Sequence, residues 1–85
     1  MIYKLYAIKD TKVGFMPPFI QVNDGVAVRE FKNIVNDKSG VVAVNYQDME
    51  LYYLGSINLE NGEISDTTPK FIINGSNVKE VVENV

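Results

Sequence analysis

The chain has 85 residues, 46% of them hydrophobic and 22% charged, with no cysteine, no histidine and a net charge of −3. That is one small domain over residues 1–85, and a domain of this size buries only about 60–65% of its unfolded surface, so its stability margin is narrow. Missing cysteine and histidine exclude disulfides, thiolate nucleophiles, zinc ribbons and Ser-His-Asp chemistry, and a pI near 4.7 argues against a basic nucleic-acid coat protein.

The N-terminal stretch MIYKLYAIKD alternates polar and apolar residues and carries Lys4 and Lys9, unlike the apolar core of a signal peptide. The longest apolar run, Gly40 to Val44, is too short to cross a bilayer. A cytoplasmic protein with no membrane contact is therefore expected. The sequon Asn74-Gly75-Ser76 then reads as a turn and not as a glycosylation site.

Residues 2–9, rich in Ile and Tyr, predict a first strand. The segment Lys9 to Gly14 suits a hairpin connection, since turns favour Asp10 and Gly14. Phe15 to Val22 contains Pro17 and Pro18, which cannot donate to a ladder, so it is an edge strand or an extended arm. Asn23 has the chemistry of a helix N-cap, and Asp24 places negative charge at the positive end of the helix dipole. The helix is expected over about residues 24–36, with Ala27, Phe31 and Ile34 on one stripe and Val28 and Val35 beside it. Arg29, Glu30, Lys32 and Asn33 take its other face.

Gly40 to Tyr46 fits either a short strand or a buried irregular stretch. Glu50 to Leu59 is the clearest strand. Its odd positions Leu51, Tyr53, Ile57 and Leu59 are apolar and predict one core face. Asn61-Gly62 signals a type I′ hairpin turn, which would return the chain over about residues 63–67 and set Leu59 opposite Ile64. Phe71-Ile72-Ile73 forms a short apolar piece after Pro69. Asn77 with Glu80 resembles a capping box for a short C-terminal helix carrying Val78, Val81, Val82 and Val85. The expected fold class is α+β: a small antiparallel sheet of four to five strands, with a central helix and a short C-terminal helix on one face.

Charge is unevenly spread. Residues 1–40 carry net +2 and residues 41–85 net −5. Lys4, Lys9 and Lys12 lie along the first hairpin, while Arg29, Lys32 and Lys38 lie on and after the helix. Tyr6 shares a strand face with Lys4, and Tyr52 shares one with Glu50, Ser56 and Asn58. Exposed tyrosines beside lysines suit single-stranded nucleic acid, base on ring and phosphate on ammonium. The plainer alternative is that the lysines only keep sheet edges soluble and that Tyr52 is covered by a helix or another subunit. Asp48 and Glu50, two residues apart, are the minimum for a magnesium site. No further clustered acid, lysine or phosphate-binding glycine loop accompanies them, so neither an enzyme nor a cofactor is expected.

The order Tyr3-Lys4-Leu5-Tyr6-Ala7-Ile8-Lys9-Asp10, Val13-Gly14, Pro18-Phe19, Asn23-Asp24, Arg29-x-Phe31, Asp48-x-x-Leu51-Tyr52-x-Leu54-Gly55 and Asn61-Gly62 resembles the small nonstructural protein of gokushoviruses. These are microvirus-type bacteriophages with circular single-stranded DNA genomes. The likeness spans about residues 3–64 and rests on the order and spacing of short motifs. Such relatives often carry His-Pro where this chain has Asn45-Tyr46-Gln47. The resemblance implies a non-capsid protein of the host cytoplasm, proposed to bind DNA as replication shifts toward packaging, and it brings no catalytic residues.

Two functions follow as expectations. The first is weak, sequence-independent binding of single-stranded DNA through Lys4, Tyr6, Lys9, Lys12, Arg29, Lys32 and Tyr52, with homo-oligomerisation supplying avidity. The second is a protein-interaction module that oligomerises and binds a phage replication or capsid protein or a host factor. The acidic second half suits a basic partner.

Overall fold

In the computed structural model, which describes residues 1–80, an antiparallel sheet carries helices on one face. β1 (Ile2–Asp10) and β4 (Met49–Asn58) are its long central pair, matched along their whole lengths. The outer side of β1 holds β2 (Gly14–Phe15) and β3 (Phe19–Gln21). The outer side of β4 holds β5 (Ile64–Ser65) and β6 (Lys70–Asn74). Among the described residues, six strands replace the expected four to five because each outer edge is shared by two short segments. On the β1 side Pro17 and Pro18 divide the edge, and neither residue pairs.

α1 (Asp24–Val35) begins where the sequence places it. Asn23 is extended, and its side-chain oxygen accepts from the Val26 backbone N–H at 2.9 Å. Ala27, Phe31 and Val35 are fully buried against the sheet, while Ile34 is only half-buried. The stripe is thus rotated slightly from the expected one. At the C-terminal end, the Asn36 side chain donates to the Lys32 and Val78 carbonyls and ties the helix to the chain's last described turn. Just beyond, the backbone N–H and hydroxyl of Ser39 donate to Asp37 and hold its carboxyl below the usual aspartate range.

The ambiguous segment after Gly40 is a one-turn helix, α2 (Val41–Val44), with Val42 and Ala43 buried. A 3-10 turn over Tyr46–Asp48 leads into β4. Another, Gly75–Asn77, is capped by Asn74 and not by Asn77. Gly75 is buried there, and a methyl group on it would run into the Tyr46 carbonyl. The expected C-terminal helix falls partly on residues 81–85, outside the described residues; Val78, its first apolar position, is buried in the core. Tyr6, Ile8, Phe31, Val35, Met49, Leu51 and Val78 make up most of that core, each large apolar side chain contributing about 1.5–3 kcal/mol by leaving water.

Two irregularities alter the expected face pattern. The β1–β4 register runs from Leu5 opposite Gly55 to Tyr6 opposite Tyr53, so Leu54 is an extra residue in a bulge. Leu51 and Tyr53 therefore face α1 as anticipated, but Ile57 is moved to the opposite face. The type I′ turn is also not formed. Asn61 lacks the positive φ it requires, and Gly62 alone in the loop has one. The longer loop places Ile64 opposite Ile57 and leaves Leu59 exposed. Among the described residues, no helix is long and apolar enough to cross a membrane.

Candidate nucleic-acid interface

Alternation along β1 divides the residues that the sequence grouped together. Lys4 and Tyr6 point toward α1, while Ala7 and Lys9 neighbour them without sharing their surroundings. Tyr6 is fully buried. Its ring lies between those of Phe19 and Tyr53, each 5.9 Å away by centroid. Its hydroxyl donates to the Asp24 carboxylate at the start of α1. Burial first, and then that hydrogen bond and the nearby negative charge, push the Tyr6 hydroxyl well above the ordinary tyrosine range. Tyr6 is a core residue whose one polar atom is satisfied, and its expected role as a stacking platform is corrected.

The expected cationic surface is divided as well. Lys4 lies 3.8 Å from Asp24 on the helix-covered face, and Lys32 lies 3.6 Å from Glu80. Arg29 and Lys32 are exposed on α1, which puts them across the sheet from Lys9. Lys12 sits at the exposed tip of the β1–β2 turn, where its backbone N–H donates to Asp10. Strand alternation by itself sets Lys4 and Lys9 on opposite faces; residue spacing does not reveal which of those faces the helix covers.

Lys9 and Tyr52 do come together, on the face over which no described element packs. Phe15 of β2, Tyr52 of β4 and Phe71 of β6 form an edge-to-face row across the sheet. Ring centroids are 5.2 Å apart between Phe15 and Tyr52, and 5.9 Å between Tyr52 and Phe71. The Lys9 ammonium stands 5.5 Å from the Phe15 centroid and 5.6 Å from that of Tyr52. Phe15 is 48% exposed and Phe71 53%, high values for phenylalanines in strands, and Ile20 on the same face is 42% exposed. Glu50 is the register partner of Lys9 on this face, and its carboxylate lies 3.5 Å from the Tyr52 hydroxyl.

Phe15 and Phe71 were absent from the sequence-derived site. Phe15 is opposite Lys9 in the first hairpin, and a two-strand register drawn from the Asp10–Gly14 turn would have found it. Phe71 has no such local signal, because its strand pairs with β4 from beyond a second turn. For metal chemistry, Asp48 and Glu50 gain no third ligand: among the described residues, no three His, Cys, Asp or Glu side chains gather in one place.

Comparison with curated proteins finds no match, and comparison with solved structures finds none. The sequence model of the phage ORF5 proteins matches residues 3–78, a span that includes α1, the central strand pair and all three rings of the aromatic row. The chain belongs to the phage ORF5 protein family.

Proposed function

We propose that this phage protein binds single-stranded DNA, weakly and without sequence preference, by stacking bases on the open sheet face during genome replication or packaging. The observation that carries the reading is the row Phe15–Tyr52–Phe71 with the Lys9 ammonium over its first two rings. Every base has a π-face, so such a row accepts any sequence. The likeness to gokushovirus nonstructural proteins supports the same reading, with action in the host cytoplasm. Lys9 and Lys12 supply the phosphate contacts, while Arg29 and Lys32 lie on the far side.

With so few cations on the face, stacking outweighs phosphate contact. One or two neutralised phosphates correspond to a slope of log affinity on log salt of only about −0.7 to −1.4. A labelled thymidine trinucleotide, short enough to stay on the row, titrated at two salt concentrations tests this. Weak binding with that shallow slope, lost when Phe15 and Phe71 are both changed to Ala, is the expected result. No binding at low salt, or binding indifferent to both substitutions, contradicts it. Self-association would raise the avidity of so weak a site, and the proline-bearing edge formed by β2 and β3 offers it a surface.

A second reading is favoured by Glu50. Its charge opposes that of Lys9 on the same face, leaving an aromatic surface that is nearly neutral and suited to a protein partner. In that case the protein is an interaction module that oligomerises or binds a phage or host protein. A pull-down from infected cells that returns protein and no DNA would decide for it.

A further inference from the structure

Lys4, set apart from Lys9 by strand alternation, lines a separate cleft on the helix side of the sheet. The cleft has a volume of about 350 Å³ and is lined by Lys4, Asp24, Tyr53, Lys70, Phe71 and Ile72. The Tyr53 ring has two ammonium groups near it, those of Lys4 and Lys70, each 5.9 Å from its centroid. Lys70 is the register partner of Tyr53 across β4 and β6. Among the described residues, no carboxylate lies within salt-bridge distance of Lys70. Lys4 has Asp24 at 3.8 Å, a loose contact between two solvent-exposed side chains, and such a pair yields readily to a competing anion. The Asp24 carboxylate is also occupied by the Tyr6 hydroxyl. Two cations against one carboxylate leave the cleft net positive.

An aromatic wall, two ammonium groups beside it and space for one small group are the features that receive a nucleotide, with ring on ring and phosphate on ammonium. Phe71 connects this cleft to the open face. It lines the cleft and is also the last ring of the aromatic row, and it belongs to β6, an edge strand with no described neighbour on its outer side.

We propose that a DNA strand lying on the aromatic row turns over the β6 edge at Phe71 and seats one further nucleotide in the cleft. Its phosphate lies between Lys4 and Lys70, and its base lies against Tyr53. This inference rests on the reading that the open face binds single-stranded DNA. It also assigns Asp24 a role: its carboxylate opposes the incoming phosphate and keeps binding weak.

The test compares a thymidine trinucleotide, long enough for the row alone, with a hexanucleotide that reaches over the edge. The double variant Lys4→Gln, Lys70→Gln is expected to bind the hexanucleotide roughly fivefold more weakly, to flatten its salt slope by about 0.7, and to leave the trinucleotide unchanged. Asp24→Asn keeps an oxygen for the Tyr6 hydroxyl while removing the charge, and is expected to tighten hexanucleotide binding about threefold. A purely structural role for these exposed side chains moves neither slope nor length dependence. Hexanucleotide binding that stays dependent on Phe15 and Phe71 but is indifferent to both lysines overturns the cleft alone. If neither length binds the unaltered protein, the open-face reading fails and the cleft fails with it.

Discussion

The two faces of the sheet are built from the same strands and have opposite fates. On one, α1 seals Tyr6, Ile8, Met49 and Leu51 from water, and the single polar atom of Tyr6 is matched to Asp24. On the other, Phe15, Tyr52 and Phe71 pack edge-to-face with Lys9 beside them and Glu50 at the Tyr52 hydroxyl, and Phe15 and Phe71 keep about half of their surface in water. Aromatic character does not separate the two faces, since the covered one carries its own cluster of Phe19, Tyr6 and Tyr53. Coverage separates them. Among the described residues one long helix covers one sheet face, and what stays open is available for a ligand.

The largest expected effect sets the faces against each other in stability. Phe31→Ala removes a fully buried ring and is expected to cost about 3–5 kcal/mol, enough to unfold much of a marginal domain. Phe15→Ala, on the open face, is expected to cost under about 1 kcal/mol. Urea denaturation of both variants checks the difference, and equal losses would mean that the open face is structural.

Next comes Gly75→Ala, which forces a methyl group against the Tyr46 carbonyl. Backbone lies on both sides and neither can swing away, so a loss of about 3 kcal/mol is expected by the same assay. Binding sharpens the contrast from the other side. Tyr52→Ala is expected to weaken oligonucleotide binding by about 1–3 kcal/mol while unfolding shifts much less.

A smaller effect concerns Tyr6. Its hydroxyl is held protonated in the folded chain by burial and by Asp24, so its pKa is raised there. Below the unfolded tyrosine value, near pH 10, both states keep the proton and the contribution is complete. As pH rises past that value only the unfolded chain releases it, and stability falls. Tyr6→Phe is expected to cost about 1 kcal/mol at neutral pH and to reduce the alkaline decline. Thermal melts at neutral and alkaline pH measure both.

Much of this arrangement is legible in the sequence, because local chemistry determines it. The Asn23 cap, the Ala27–Phe31 stripe and the alternation through Leu51 and Tyr53 each depend on residues a few positions apart, and the structure keeps all three. Legibility stops where pairing partners are distant. The extra residue at Leu54 shifts every later side chain of β4 to the other face, and nothing at Leu54 announces it; the bulge is defined by how β1 lies alongside. Gly55, directly after it, has φ +150, and a Cβ there would come within 2.7 Å of the Ser65 carbonyl. That glycine was the one local hint.

The site shows the same limit. Lys9 and Tyr52 were identified from the kinds of residue they are, whereas Tyr6 has the same chemistry and is sealed. Which tyrosine meets water was decided by the side on which α1 packs. Phe71 joined the row only through the β4–β6 pairing.

The central claim is that bases stack on the open face, and aromatic NMR during an oligothymidine titration tests it most directly. The ring resonances of Phe15, Tyr52 and Phe71 are expected to move together with added DNA, while that of Phe31 stays in place. Rings on the open face that do not respond at saturating oligonucleotide, or shifts confined to the Arg29 and Lys32 side of α1, would contradict the account.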